Sequence, residues 1–321
     1  MAVETLAAPA SAADIEKHAS LWSDAWHRLL ANRLAMVGLA VIVLLILVAI
    51  FGPWMTPYDF LSQDLNARNE LPNAAHWLGT DELGRDVLAR VIYGARTALI
   101  VSLIVTAIAV AIGVTLGAIA GYAGGPLDSA IMWLTDMTMS VPNLLLAVVI
   151  NASLKPPLTA WMDRMYQATL NPIWRNSLIV DFVLVFGAMA LVSWPAYCRL
   201  VRAQVLSVRS RNYVTAARAL GLPTRVILMR YIVPNAIGPL IVAVSAGLGA
   251  AMVLESAFSF LGVGVNPPAP SWGNMISDGL RVWRTYPHLL AAPAAVLGIA
   301  TIAFSFLGDG LNDALNPKGR K

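Results

Sequence analysis

The chain has 321 residues, 58% of them hydrophobic and only 12% charged, and its formal net charge is +4, from 22 Lys and Arg against 18 Asp and Glu. That balance excludes a soluble globular domain. The cations gather in separate segments, so they are read as membrane topology and not as a nucleic-acid-binding face. A single cysteine, Cys198, excludes a disulfide framework and a Cys-based zinc centre, and His18, His27, His76 and His288 show no ligand spacing.

In chain order, residues 1–34 form an N-terminal segment in which "SLWSDAWHRLLANRL" places Leu21, Trp22, Trp26, Leu29 and Leu30 on one helical stripe. Such a stripe anchors a helix at the membrane surface or serves as a gating or docking helix. Six apolar runs then have the ~20-residue length that crosses about 30 Å of hydrocarbon. They are 35–55, 97–121, 128–151, 178–198, 234–257 and 288–308. The first is too long for a signal-peptide core and is followed by no small-x-small cleavage site, so it is expected to remain as an anchor.

The 56–96 loop mixes both charge signs and suits the outer side, as do 152–177 and 258–287. In the second run Gly113, Gly117 and Gly121 recur every four residues, a groove for close helix approach within the bundle or between subunits. Pro142, Pro195, Pro239 and Pro293 are expected to kink or interrupt their spans. Asp136 and Glu255 are the acids within the apolar runs, candidates either for the translocation path or for bonds to other helices.

The 199–233 loop carries arginines at 199, 202, 209, 211, 218, 225 and 230 and no Asp or Glu. Cationic loops stay in the cytoplasm, so with six spans both termini are expected there too, 311–321 being a cytoplasmic tail. Lys17, Arg28, Arg33, Lys318, Arg320 and Lys321 agree. Inside the loop, Asn212 is placed to cap a two-turn helix over 213–220, Gly221 to end it, Pro223 to stop its continuation and Thr224 to cap a second helix. Tyr213, Ala216, Ala217 and Leu220 would share a slim face suited to a groove on another protein. The bland alternative is a positive-inside loop with an incidental helix.

No GxxxxGK[ST] phosphate loop occurs, so energy for uphill transport would come from a partner or an ion gradient. A self-contained ion-coupled carrier would use Asp136 or Glu255 as its proton site. An intramembrane enzyme lacks a catalytic set, having neither a second acid for Asp136 nor a Ser/His pair at depth.

"YVTAARALG", with Pro234 thirteen residues after Gly221, resembles the EAA loop of binding-protein-dependent ABC importer permeases, whose pattern is E-A-A-x3-G-x9-I-x-L-P. Ala216, Ala217, Gly221 and Pro234 match, whereas Thr215 stands for the family's Glu, Tyr231 for its Ile and Val233 for its Leu. "NRLAMVG", "HWLGTDELGRDVLARVIYGARTAL", "SFLGVGVNPPAPSWGNMI" and "LGDGLNDALNP" are similar to the C-type permease of dipeptide, oligopeptide and nickel importers, from about residue 20 onward.

The resemblance implies an all-α, six-span type I importer permease over 97–310 and the first span, a non-catalytic inner-membrane subunit that binds no cofactor. Its implied partners are a homologous B-type permease, two ATPases that use ATP and Mg, an extracytoplasmic binding protein and membrane lipid. Tyr213, Thr215, Ala216, Ala217, Arg218, Leu220, Gly221 and Pro234 would couple it to the ATPases. The implied cargo is a dipeptide or oligopeptide, with nickel or another small solute as the alternative. The 152–177 segment is longer than the family's usual connection and would be a lineage-specific contact for the binding protein.

Overall fold

A computed structural model describes residues 21–175 and 177–315. Lys17, His18, Lys318, Arg320 and Lys321 lie outside that range, as does most of the expected tail, and Leu21 and Trp22 lie outside the residues whose side chains are described. The helices are α1 (Leu21–Ala31), α2 (Arg33–Met55), α3 (Val87–Ala123), α4 (Gly125–Ser140), α5 (Asn143–Thr169), α6 (Ser177–Arg209), α7 (Asn212–Ala219), α8 (Thr224–Ile227), α9 (Val233–Phe260), α10 (Trp272–Val282) and α11 (Pro287–Leu315). A π-helical turn, Leu228–Ile232, joins α8 to α9. Among the described residues six helical stretches are long and apolar enough to cross a membrane: α2, α3, α5, most of α6, the run from α8 through α9, and α11.

The glycine stripe of α3 sets the centre of the bundle. A Cβ on Gly113, Gly117 or Gly121 would meet, in turn, the backbone or Cβ atoms of Trp194 to Cys198, Cys198 to Arg202, and Arg202 to Val205. α3 and α6 therefore run parallel with their backbones almost touching. The stripe is used inside the chain.

Between these two, the chain must return to the opposite end. At Gly124 and Gly125, φ is +69° and +61°, a reversal that a side chain would strain, and α4 leaves in the opposite direction. α2 packs antiparallel to α11, with Gly38 against Ala303 and Leu307 and Ala35 against Gly310. α9 is likewise antiparallel to α11, with Gly249 against Phe304 and Gly308 against Ala246. The α3–α4 corner, α7 and the ends of α1 and α11 share one end, called near. The 56–86 loop, the α5–α6 link and α10 share the far end.

Three expected boundaries are corrected. The 56–96 loop ends at Asp86, which caps α3 by accepting from Ala89 N–H at 2.7 Å, while Arg90 is buried against Asp81 and belongs to the helix. The 128–151 span is two helices: Pro142 pushes Val141 into extended backbone (φ −94°, ψ 130°) and supplies no N–H, so α4 stops and α5 starts anew. α5 then continues to Thr169, making most of the expected 152–177 loop helical. Pro195, Pro239 and Pro293 sit inside continuous helices.

At the far end, the 56–86 loop is held by polar contacts. Asp81 accepts from the backbone N–H of Leu83 and Arg85 and from Nε of Arg85 at 2.7 Å. His76 Nδ1 lies 2.9 Å from Asp86 Oδ2. α10 is sewn to α3 by Trp272, fully buried, whose indole donates to the Val91 carbonyl at 3.0 Å.

Candidate coupling site

A fourth correction concerns the arginine-rich loop. α6 extends to Arg209, so only the turn at 210–211, α7 and the corner after it protrude at the near end. Arg199 and Arg202 are helix residues with acidic partners on α4: Arg202 makes a two-pronged bond to Asp128 at 2.5 and 2.6 Å, and Arg199 pairs with Asp136. The charge that looked unopposed in sequence is neutralised from 74 and 63 residues away.

α7 runs one residue earlier than expected. Arg211 holds the cap position without a side-chain bond and Asn212 is the first helical residue; Pro223, not Thr224, precedes α8. At its other end, Leu222 N–H donates to the Ala217 carbonyl at 3.2 Å and Gly221 N–H to that of Arg218 at 2.9 Å. Those two bonds, with φ of +72° at Gly221, are a Schellman termination. The corner is hydrogen-bonded and its left-handed backbone favours glycine.

The expected ridge is only partly right. Val214 and Ala217, three residues apart, turn inward and are buried against Val201, Val205, Val208, Ile227 and Ile232. Ala217 lets α7 lie close to α6, so it is not on the free face. Tyr213, Ala216 and Leu220 are exposed, Leu220 by 80%. Thr215 is exposed and its hydroxyl donates back to the Arg211 carbonyl at 3.4 Å. Arg218 lies over the Tyr122 ring, 5.1 Å from its centroid, and Tyr122 OH donates to Thr224 at 3.4 Å. The coupling segment is thus clamped to the end of α3.

Pro234 stands in the first turn of α9 and cannot donate to the carbonyl four residues back. The chain answers with the wider π turn, in which Val233 N–H reaches Leu228 O.

The two acids have different surroundings. Asp136 is exposed, 64% of its side chain, beside Arg199 at 45%. Glu255 is fully buried: Oε1 accepts from Ser259 and Ser271, each at 2.7 Å, and Oε2 from Ser256 at 3.3 Å. Ser259 in turn accepts from Val265 N–H and Ser271 from Gly273 N–H. Within this chain Glu255 ties α9 to the 261–271 turn and the start of α10. Ser256, Ser259, Ser271 and Asp128 went unnoticed in sequence, and Arg199 was counted only as loop charge. Two acids eight apart on α4 and two arginines three apart on α6 were the available signal.

The family described as binding-protein-dependent transport system inner membrane component matches residues 113–321, and the N-terminal TM domain of oligopeptide transport permease C matches 20–72. The chain is 38% identical over 318 residues to the oligopeptide transport system permease protein OppC of Bacillus subtilis, covering 98% of this chain and 96% of that one. It is 37% identical to the dipeptide transport system permease protein DppC of Alkalihalophilus pseudofirmus (93% and 90% covered). To the glutathione transport system permease protein GsiD of Escherichia coli O6:H1 it is 34% identical (92% and 90%). Among solved structures, an amino acid ABC transporter crystallised with histidines aligns with a TM-score of 0.50 at 17% identity, over 70% of this chain and 92% of that one, a likeness of fold alone.

Proposed function

The chain belongs to the family of binding-protein-dependent transport system inner membrane components, and from that premise we propose that it is the permease subunit of an ATP-driven importer of dipeptides or oligopeptides. The observation that carries this reading is the exposed α7, joined by a hydrogen-bonded corner to α8, which is continuous through the π turn with a membrane-length helix. A short helix so placed conveys a push from a soluble partner to α9.

In this reading the near end is cytoplasmic, because the residual cations there, Arg209, Arg211, Arg218, Arg225 and Arg230, have no acid between them in sequence. Two ATPases, using ATP and Mg, seat α7 through Tyr213, Ala216 and Leu220. With Thr215 in the place of an acid, shape and the cation Arg218 replace an ion pair. A homologous permease completes the path, and a binding protein delivers peptide to the far end. The Asp136 and Arg199 pair lines the near mouth of that path. The chain itself performs no catalysis and holds no cofactor.

Reconstitution of the permease pair with its ATPases and binding protein in proteoliposomes tests the reading. Uptake of a labelled di- or tripeptide is expected to require ATP. Uptake driven by a proton or sodium gradient without ATP would identify a carrier instead, and ATP-driven uptake of nickel but no peptide would reassign the cargo.

A further inference from the structure

Between the middle of α5 and the early part of α6 lies a lateral groove of about 480 Å³. Leu154, Leu158 and Trp161 form one wall, Leu184 and Leu191 the other, and Gly187 leaves the floor open, with no atom within 4 Å of where its Cβ would stand. All lining residues are apolar. A peptide lying there would leave its N–H and C=O groups without partners, so the groove does not suit the proposed cargo. A hydrocarbon chain has no such groups to satisfy.

The far-end limit of the groove is marked by Trp161 and Trp174, edge to face with centroids 5.4 Å apart. Paired indoles are at home at headgroup depth. Arg164, exposed, follows Trp161 by three residues and so projects from the groove side of α5 one turn farther out. Asp163 projects from the opposite side, about 165° from the groove's centre line by helical rotation. Arg164 therefore places a positive charge beside the groove mouth.

We propose that this groove is a phospholipid site: one acyl chain in the trough, the Trp161–Trp174 pair at the glycerol level and Arg164 at the phosphate of an anionic headgroup. The site depends on the chain being embedded in a bilayer and not on which solute it carries.

The assembled transporter in phosphatidylcholine nanodiscs, doped with phosphatidylglycerol bearing a photoactivatable diazirine on its acyl chain, provides the test. Labelling is expected to concentrate on residues 150–161 and 183–191. Gly187→Phe, which fills open space on a helix, should abolish that concentration. Arg164→Gln, a surface change that leaves the fold alone, should lower phosphatidylglycerol labelling roughly fivefold while sparing a phosphatidylcholine analogue. Labelling spread evenly over α2 and α5, or indifferent to both substitutions, would overturn the proposal. So would crosslinks from these residues to the homologous permease in place of lipid.

Discussion

At Gly221 the obstacle to substitution is backbone conformation and not space. Nothing lies within 4 Å of its Cβ position, but φ is +72°. A β-carbon in the left-handed region costs roughly 1–2 kcal/mol, enough to bend the corner without unfolding the bundle. Gly221→Leu should insert and assemble normally while uptake per ATP hydrolysed falls; Gly221→Asn, which tolerates that region, should stay near wild type. Parallel assays of uptake and ATP hydrolysis check both. Glu255 makes the opposite case, since its conformation is ordinary and its partners are everything. Glu255→Leu strands three hydroxyls, each unsatisfied buried group costing about 1–3 kcal/mol, and should lower the thermal midpoint sharply. Glu255→Gln keeps the oxygen that serves both Ser259 and Ser271 and should lower it far less. Unchanged midpoints for both would contradict the tethering role.

At several glycines the helices approach backbone to backbone. The α3–α6 seam is the tightest instance: a Cβ at Gly117 would stand 2.4 Å from the Cys198 carbonyl oxygen, a backbone atom that cannot swing aside. Gly117→Val should cost the monodisperse, detergent-extracted protein. Gly298→Val on α11, with open space around it, should not; size-exclusion profiles compare them. The seam was legible in sequence because it is periodic within one helix, as were five of the six crossings, whose apolar runs are long. The α4–α5 break was signalled by Pro142, but the apolar run continues through Val141 and Pro142, so the span was still bounded as one. The α4–α6 ion pairs were hidden. Their partners are far apart in sequence, and counting Arg199 and Arg202 as loop charge was the natural error once no acid lay nearby. Ala217 shows the limit of helical periodicity, which says which residues share a face but not which way the face turns.

In the whole molecule the two described ends of the chain come together. Ala25 and Leu29 of α1 pack on Ala314, with Leu307, Leu311 and Leu315 around them, while Trp26 and Leu30 remain exposed. α1 is thus docked on the bundle through Ala25 and Leu29 and apolar on its outer side, so the expected stripe is divided between two surroundings. Reporters fused at the N- and C-termini should be accessible from the same side of intact membranes, the side that also exposes a tag at Leu220. Opposite accessibility would overturn the six-crossing arrangement.

The widened turn at Leu228–Ile232 bears on how such a machine moves. One end of α9 is rooted in a segment with wider hydrogen-bonded rings than the helices on either side, whereas the corner at Gly221 is fastened by two bonds and the α7 floor by packed valines. A stiff crank is joined to a stiff shaft through a compliant bushing. Under the proposed coupling role, twist applied to α7 would be taken up first as a change of winding in those five residues, before α9 turns.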